Sequence, residues 1–496
     1  MKPIIAILLI ASFASLSYSL PLSRSSRWII DDESGERVKL ACANWPGHLK
    51  PMLPEGLDRR PLSEIASHVA HMGFNCVRIT WATYMFTRHA NVTVAKSFGD
   101  LGLNESIAGL AQHNPDLLSL SLVDAHKAVI EEVGRHGIMM VLDNQVSEPM
   151  WCCANNDGNG FFGDEYFDPK EWLQGLTTVA TLYKDTPMVV GISLRNELRG
   201  PLQNESVWYN NVEKGAKTLN RANPNLLVII SGLDYDLDFR FLKKKPLGLN
   251  MMRKKMVYET HRYAFSEGQS KMWEAGPLNK FGIDQREVSE ADNLHLPCIL
   301  AYLADKDLDW AVWALQGSYY FREGKRGMEE TFGMFNGNWT ALRNPTFHSK
   351  LEFLQQKLQG SSEATYYLLY HPLSGKCARV DSGRLHMSDC LGASRWAHGA
   401  DGMPIHLLGT STCLAAERDG HPATLSGDCM NEGSTWNLAS MLQLANKGDD
   451  GVELCLDYDS SYSSSLILTR KCVGLEEGDM RNPQTQWFKL IAANVK

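Results

Sequence analysis

The chain has 496 residues, 44% hydrophobic and 21% charged, with a formal net charge of −8 and 11 cysteines. Ordinary apolar content excludes a disordered chain, and a mildly acidic balance argues against nucleic acid as the main partner. The length points to more than one domain, or to a large barrel with an appendage, and the odd cysteine count leaves at least one thiol unpaired.

The chain opens with Lys2, an apolar stretch from Ile4 to Leu16, and small residues at Ser17 and Ser19. That pattern predicts a secretory signal peptide over residues 1–19, too short to span a bilayer. No later stretch is long and apolar enough for a membrane span. Sequons at Asn91, Asn104, Asn204 and Asn338 agree with an extracellular or cell-wall destination, where cysteine pairs are read as disulfides.

Residues 20–358 alternate short apolar runs with longer amphipathic segments. Eight candidate strands fall at 38–45, 75–81, 138–144, 189–197, 226–232, 255–263, 277–282 and 310–317. Most are separated by room for a helix, which predicts an α/β class fold, a (β/α)8 TIM barrel. In such barrels the chemistry sits at the C-terminal strand ends, so polar residues there are the ones to inspect.

The fourth run ends Arg195-Asn196-Glu197. A carboxyl closing an apolar strand is partly buried in the barrel mouth, which suits general acid work, and Asn196 beside it suits a sugar hydroxyl. The second run carries Arg78, which can orient a carboxylate. The third ends in Gln145, the sixth ends in His261 and Tyr263, and the eighth carries Trp310 and Trp313, whose faces suit either a sugar ring or core packing. Taken singly, each has a bland reading: Glu197 as a helix cap or partner of Arg195 or Arg199, Arg78 as a surface ion pair, His261 as a core histidine. At successive strand ends they read as one site. Phe161, Phe162 and Trp172 are evenly balanced between a cleft wall and packing.

Several other signals carry less. The basic run Lys243–Lys245 with Arg253, Lys254 and Lys255 reads as a solvated face. His68 and His71 lack further ligands, the cluster Asp234, Asp236 and Asp238 lacks the glycine of a calcium loop, and neither metal nor cofactor is expected.

After a Gly/Ser break near 358–365, helical periodicity disappears. Cys377 and Cys390 precede Trp396, Cys413 and Cys429 precede Trp436, and Cys455 and Cys472 precede Trp487. This threefold order predicts an all-β domain of three lobes over 366–490, each with a candidate disulfide and a core tryptophan. The tail resembles the ricin-B-type lectins, which are β-trefoils. That resemblance implies a glycan ligand held by an Asp shortly after a lobe's first Cys. Only Asp457, after Cys455, keeps that spacing; the first two lobes read as structural. The unpaired thiol is then expected among Cys42, Cys76, Cys152, Cys153 and Cys298.

The stretches MGFNCVRITWATYMFTR, LRNELRG, FGIDQ and LDWAVWALQGSYYFREG resemble glycoside hydrolase family 5, the cellulase and mannanase family, in its plant members with a ricin-B-like tail. The resemblance implies retaining hydrolysis of a β-linked polysaccharide or oligosaccharide by two glutamates without metal. It makes Glu197 the acid/base, with Asn196, Arg78, His261, Tyr263 and Trp313 around the sugar. Two positions depart from the family pattern. Lys280 stands where the nucleophilic Glu is expected before Phe281-Gly282, and Gln145 stands where the family commonly has His. Only residues 264–276 separate the sixth and seventh runs, near the minimum for a parallel crossover. Weak or absent hydrolysis is therefore expected. The alternatives are an inactive carbohydrate-binding protein and a remnant without sugar affinity.

Overall fold

The apolar runs of the first two thirds of the chain form a curled parallel sheet. A computed structural model describes residues 21–266, 290–360, 365–447, 451–460, 465–476, 479 and 481–495. The signal segment and the expected seventh strand, with Lys280, lie outside the described residues.

Six strands follow one another in order: β1 (Ala41–Trp45), β2 (Cys76–Ala82), β3 (Met139–Val146), β4 (Val189–Ser193), β5 (Leu227–Ile230) and β6 (Met256–Tyr258). The strand Trp310–Val312 pairs in parallel with the other edge of β1, so the sheet curls in a TIM-barrel-like manner. Helices Leu62–His71, Leu122–Arg135, Pro169–Leu182 and Glu205–Ala222 pack outside as the crossovers. Their starts are set locally: Ser121, Asp168 and Asn204 each accept a backbone N–H of the first turn.

Sheet register decides which side chains meet. Asn44 stands opposite Arg78, and Asp143 opposite Ser193. Below this polar layer the barrel is apolar: Cys42, Cys76, Met139, Val141, Leu227 and Ile229 pack with Leu22 and Ile29 of the N-terminal hairpin. Each large apolar side chain buried there contributes about 1.5–3 kcal/mol. The hairpin therefore seals the floor and leaves the opposite end for chemistry. A disulfide joins Cys42 and Cys76 across β1 and β2.

Residues 366–493 form an antiparallel β domain with disulfides Cys377–Cys390, Cys413–Cys429 and Cys455–Cys472, the three pairs expected from their spacing. Trp396 and Trp436 are buried at its core. The third core position is a correction: Phe488 fills it, while Trp487 is only partly buried. Neighbouring residues of extended chain point to opposite sides, so a one-residue shift exchanges the inward ring. Among the described cysteines Cys298 alone is free, because Cys152 and Cys153 pair with each other.

The two domains meet over shared apolar surface. Phe353 and Leu354 cluster with Leu368, Tyr370 and Ile491. Asn494 N–H donates to Leu358 O at 2.9 Å, and Gly360 N–H donates to Asn494 Oδ1 at 2.7 Å. No described helix is long and apolar enough to cross a membrane.

Candidate active site

Four of the predicted mouth residues converge at the C-terminal strand ends. Glu197 lies four residues past the end of β4, where Asn196 N–H donates to Asn144 O at 2.9 Å and ties the turn to β3. Arg199 supports the turn by donating to Glu197 O at 2.8 Å. Asn196 is fixed at both ends of its amide. Its Oδ1 accepts from Arg78 Nη2 at 3.2 Å, and its Nδ2 lies 3.6 Å from the sulfurs of both Cys152 and Cys153.

Arg78 is the hub. It also donates to Asn44 Oδ1 at 3.0 Å and Glu259 Oε1 at 3.2 Å, and it pairs with Asp143 Oδ1 at 2.9 Å. Burial alone would disfavour its charge, but Asp143 and Glu259 hold the guanidinium pKa above its ordinary value. Burial pushes the Asp143 carboxyl up to about 6, against the pull of Arg78.

His261 joins the two halves of the site. Its Nδ1 donates to Glu197 Oε1 at 2.7 Å, and its Nε2 lies 3.7 Å from Asp236 Oδ2. Burial would lower its pKa, yet the Glu197 hydrogen bond and the charges of Asp236, Glu197 and Glu259 raise it to about 9. Burial raises the Asp236 carboxyl well above its usual range, despite His261. Asp236 reaches this place because residues 234–236 all adopt positive φ (53°, 57° and 67°), a sharp turn after β5.

The remaining predicted residues form the surroundings. Tyr263 stacks on Phe265, with ring centroids 4.8 Å apart. Trp313 meets Trp151 edge-on at 6.4 Å, and Arg322 lies over the other ring of that pair, Trp151, at 3.4 Å. Gln145 is buried, and its Oε1 has no hydrogen-bond partner among the described residues. Phe161, Phe162 and Trp172 are buried against one another and Phe167, so they are packing residues. Asp457 is far along the chain in the C-terminal domain, where it is buried and accepts from Thr485 Oγ1 at 3.2 Å.

Asp143, Asp236, Glu259 and the Cys152–Cys153 pair were not among the predicted site residues. Glu259 was within reach of sequence reasoning, because strand alternation puts 259, 261 and 263 on one face. In the sequence Asp236 reads only as part of an incomplete calcium loop, because its place in the site depends on the turn. Among the described residues, two groups carry metal-ligand atoms within 4.8 Å of one another: Cys152, Cys153 and Glu197, and Asp236, Glu259 and His261. In the first, the sulfurs are bonded to each other and are not thiolates. In the second, a cation would have to displace the proton of His261.

A partly open carboxyl hydrogen-bonded to an imidazole, beside a fixed amide and an arginine, can donate a proton to a bound ether oxygen. The sequence pattern of the Cellulase family, glycosyl hydrolase family 5, matches residues 32–295. A glycosyl hydrolase 5 family protein of Chamaecyparis obtusa is 42% identical, over 98% of this chain and 96% of its own. The chain belongs to glycosyl hydrolase family 5. This family 5 chain is endoglucanase-like: an endoglucanase of Paenibacillus polymyxa is 22% identical over 64% of it and 83% of the relative. The catalytic domain of the major endoglucanase of Xanthomonas campestris pv. campestris shares the family 5 chain's fold. Its TM-score is 0.52, with 20% identity over 67% of this chain and 99% of that one. An endocellulase from Pyrococcus horikoshii, solved with cellotetraose, also has a TM-score of 0.52, at 16% identity over 68% and 100% of the two chains.

Proposed function

We propose that the chain is a secreted family 5 glycoside hydrolase that binds a cell-wall β-glycan, β-glucan or β-mannan, and turns it over weakly. The observation that carries this reading is Glu197 hydrogen-bonded to His261, with Asn196 and Arg78 locked beside it. Glu197 is the acid that protonates the leaving oxygen, Asn196 and Gln145 meet sugar hydroxyls, and Tyr263 and Trp313 flank the rings. In intact relatives a second glutamate attacks the anomeric carbon, and water then hydrolyses the resulting ester. Lys280, at that glutamate's place in the sequence, cannot form the ester. The alignment to the Chamaecyparis relative runs to 535 positions against 496 residues here, so this chain lacks residues that the relative carries.

Export is supported by the leader pattern, by five disulfides, and by the exposure of all four sequon asparagines. Residues 366–490 are assigned as a ricin-B-like β-trefoil, supported by the threefold Cys-Cys-aromatic order, with Asp457 the candidate glycan contact.

The test compares the protein with Lys280→Glu and Glu197→Gln variants on β-glucan and β-mannan. Low turnover, raised by Lys280→Glu and abolished by Glu197→Gln, is expected. Rapid turnover of the unmodified chain would refute the impairment. The second reading, a carbohydrate-binding protein without catalysis, is favoured by Lys280 itself. It predicts glycan-array binding without turnover, lost on Asp457→Ala if the trefoil is the binding element.

A further inference from the structure

Two partners of opposite character hold the buried amide of Asn196. Its Oδ1 accepts from Arg78 Nη2 at 3.2 Å, and its Nδ2 lies 3.6 Å from the sulfurs of both Cys152 and Cys153. A guanidinium can only donate, and a disulfide sulfur, having no S–H, can only accept. One orientation of the amide satisfies both. A flip would set Nδ2 against the guanidinium and Oδ1 against sulfurs with no hydrogen to offer. The sulfurs are bonded to each other and equally far from the nitrogen, so they lie in one direction and take one of its two hydrogens. Among the described residues nothing else accepts from Nδ2, which leaves its second N–H for a sugar hydroxyl.

The disulfide is itself anchored on both sides. Cys152 packs with Ala82 and Val146, the paired last residues of β2 and β3, and Cys153 lies against the same cluster. Trp151, the residue before the pair, meets Tyr319 edge-on at 5.6 Å and lies under Arg322, both beyond the strand Trp310–Val312. Residues 151–153 therefore run across the mouth, and their sulfurs come within 4.8 Å of a Glu197 oxygen.

We propose that the Cys152–Cys153 disulfide is a positioning element for the amide of Asn196, aiming its free Nδ2–H at a hydroxyl of the bound glycan. The assignment rests on the reading of this mouth as a glycan cleft. A dithiol reductant opens the bond: two electrons and two protons pass to the sulfurs, and the reagent closes to its own disulfide. Each sulfur then carries a hydrogen, turns independently, and can donate to the Glu197 carboxylate as well as accept. The amide loses its fixed direction, and a glycan must order it again on binding. The mouth holds its sugar best when oxidised, the state an exported chain keeps.

The test titrates the full chain with cellotetraose and with mannotetraose. Binding is followed at the His261 ring by nitrogen-15 NMR, which reads the mouth and not the C-terminal domain. Replacing both cysteines, Cys152→Ala with Cys153→Ala, should weaken binding about three- to tenfold, the scale of one net hydrogen bond. Asn196→Ala should weaken it at least as much. Combining the three changes should cost nothing further, because residues that act through one group are not additive. Dithiol treatment, with mass spectrometry showing that the 152–153 bond has opened, should reproduce the loss in the unmodified protein and leave Asn196→Ala unaffected. If the cysteine variant fails to fold, this second measurement decides. Full affinity after the bond is removed or opened, with Asn196→Ala weakened, would overturn the positioning role and leave the cleft standing. So would losses that multiply in the combined variant. Binding of neither tetrasaccharide at the mouth, or full affinity in Asn196→Ala, would overturn the reading of the mouth itself, and the assignment with it.

Discussion

His261 spans two carboxylates, with Nδ1 at 2.7 Å from Glu197 Oε1 and Nε2 at 3.7 Å from Asp236 Oδ2. The ring is therefore an imidazolium at neutral pH, and it fixes the acid group by a charge-assisted bond. Removing the charge of Glu197 should be visible at His261 before it is visible in any product. In the unmodified protein the ring should titrate near 9, and in Glu197→Gln it should fall by at least about one unit toward 6.5. Nitrogen-15 NMR of labelled histidine reads both values. A ring that stays near 9 in the variant would assign the shift to Asp236 and Glu259 instead.

The same group makes stability depend on pH with a definite sign. A histidine raised from 6.5 to about 9 on folding contributes fully below the unfolded value and loses its contribution as pH climbs through the folded one. The thermal stability of the barrel should therefore fall between about pH 6.5 and 9. Asp236→Asn removes one of the charges that raise the ring and should flatten that slope. An unchanged slope in the variant would exclude Asp236 as a contributor.

Arg78→Met should be among the most damaging changes in the site. It leaves Asp143, which is fully buried, and Glu259 without their guanidinium partner. Breaking a buried pair on one side costs about 3–5 kcal/mol, so the barrel transition should drop sharply. Arg78→Lys keeps a charge but cannot serve Asn44, Asn196, Asp143 and Glu259 from one fork, and should recover only part of the loss. A melting temperature unchanged in Arg78→Met would contradict the hub.

The Cys42–Cys76 bridge closes a loop of 34 residues between the first two barrel strands. Replacing both with alanine should cost about 2–4 kcal/mol, seen as a lower barrel melting temperature under non-reducing conditions. The three disulfides of the C-terminal domain should remain intact by mass spectrometry. No loss of stability would mean that the parallel pairing of β1 and β2 suffices alone.

Much of the barrel was legible because buried parallel strands read as apolar runs whatever their partners. Residues 75–81 and 138–144 fall almost on β2 and β3. The fourth predicted run, 189–197, is longer than the strand it contains. The strand stops at Ser193, and Glu197 is delivered by an irregular turn pinned by Asn144 and Arg199, contacts between segments that no local pattern displays. Asp236 was illegible for a similar reason, since its position depends on three consecutive residues at positive φ. The three C-terminal disulfides join cysteines 13, 16 and 17 residues apart, so the repeated order offered them as candidate pairs. It could not offer Cys42–Cys76, because the register of two parallel strands brings those sulfurs together.

Asn494 returns from the end of the last strand to grip Leu358 and Gly360, so the last described residues and the linker between domains close on each other like a clasp. Ile491 and Leu368 share apolar contacts with Phe353 and Leu354, which makes the C-terminal domain a wall of the barrel's exterior rather than detachable cargo. Grafting another binding module at residue 360 would bare that wall. A chain cut before Phe488 would empty a core position of the C-terminal domain and free the linker from Asn494 at one stroke.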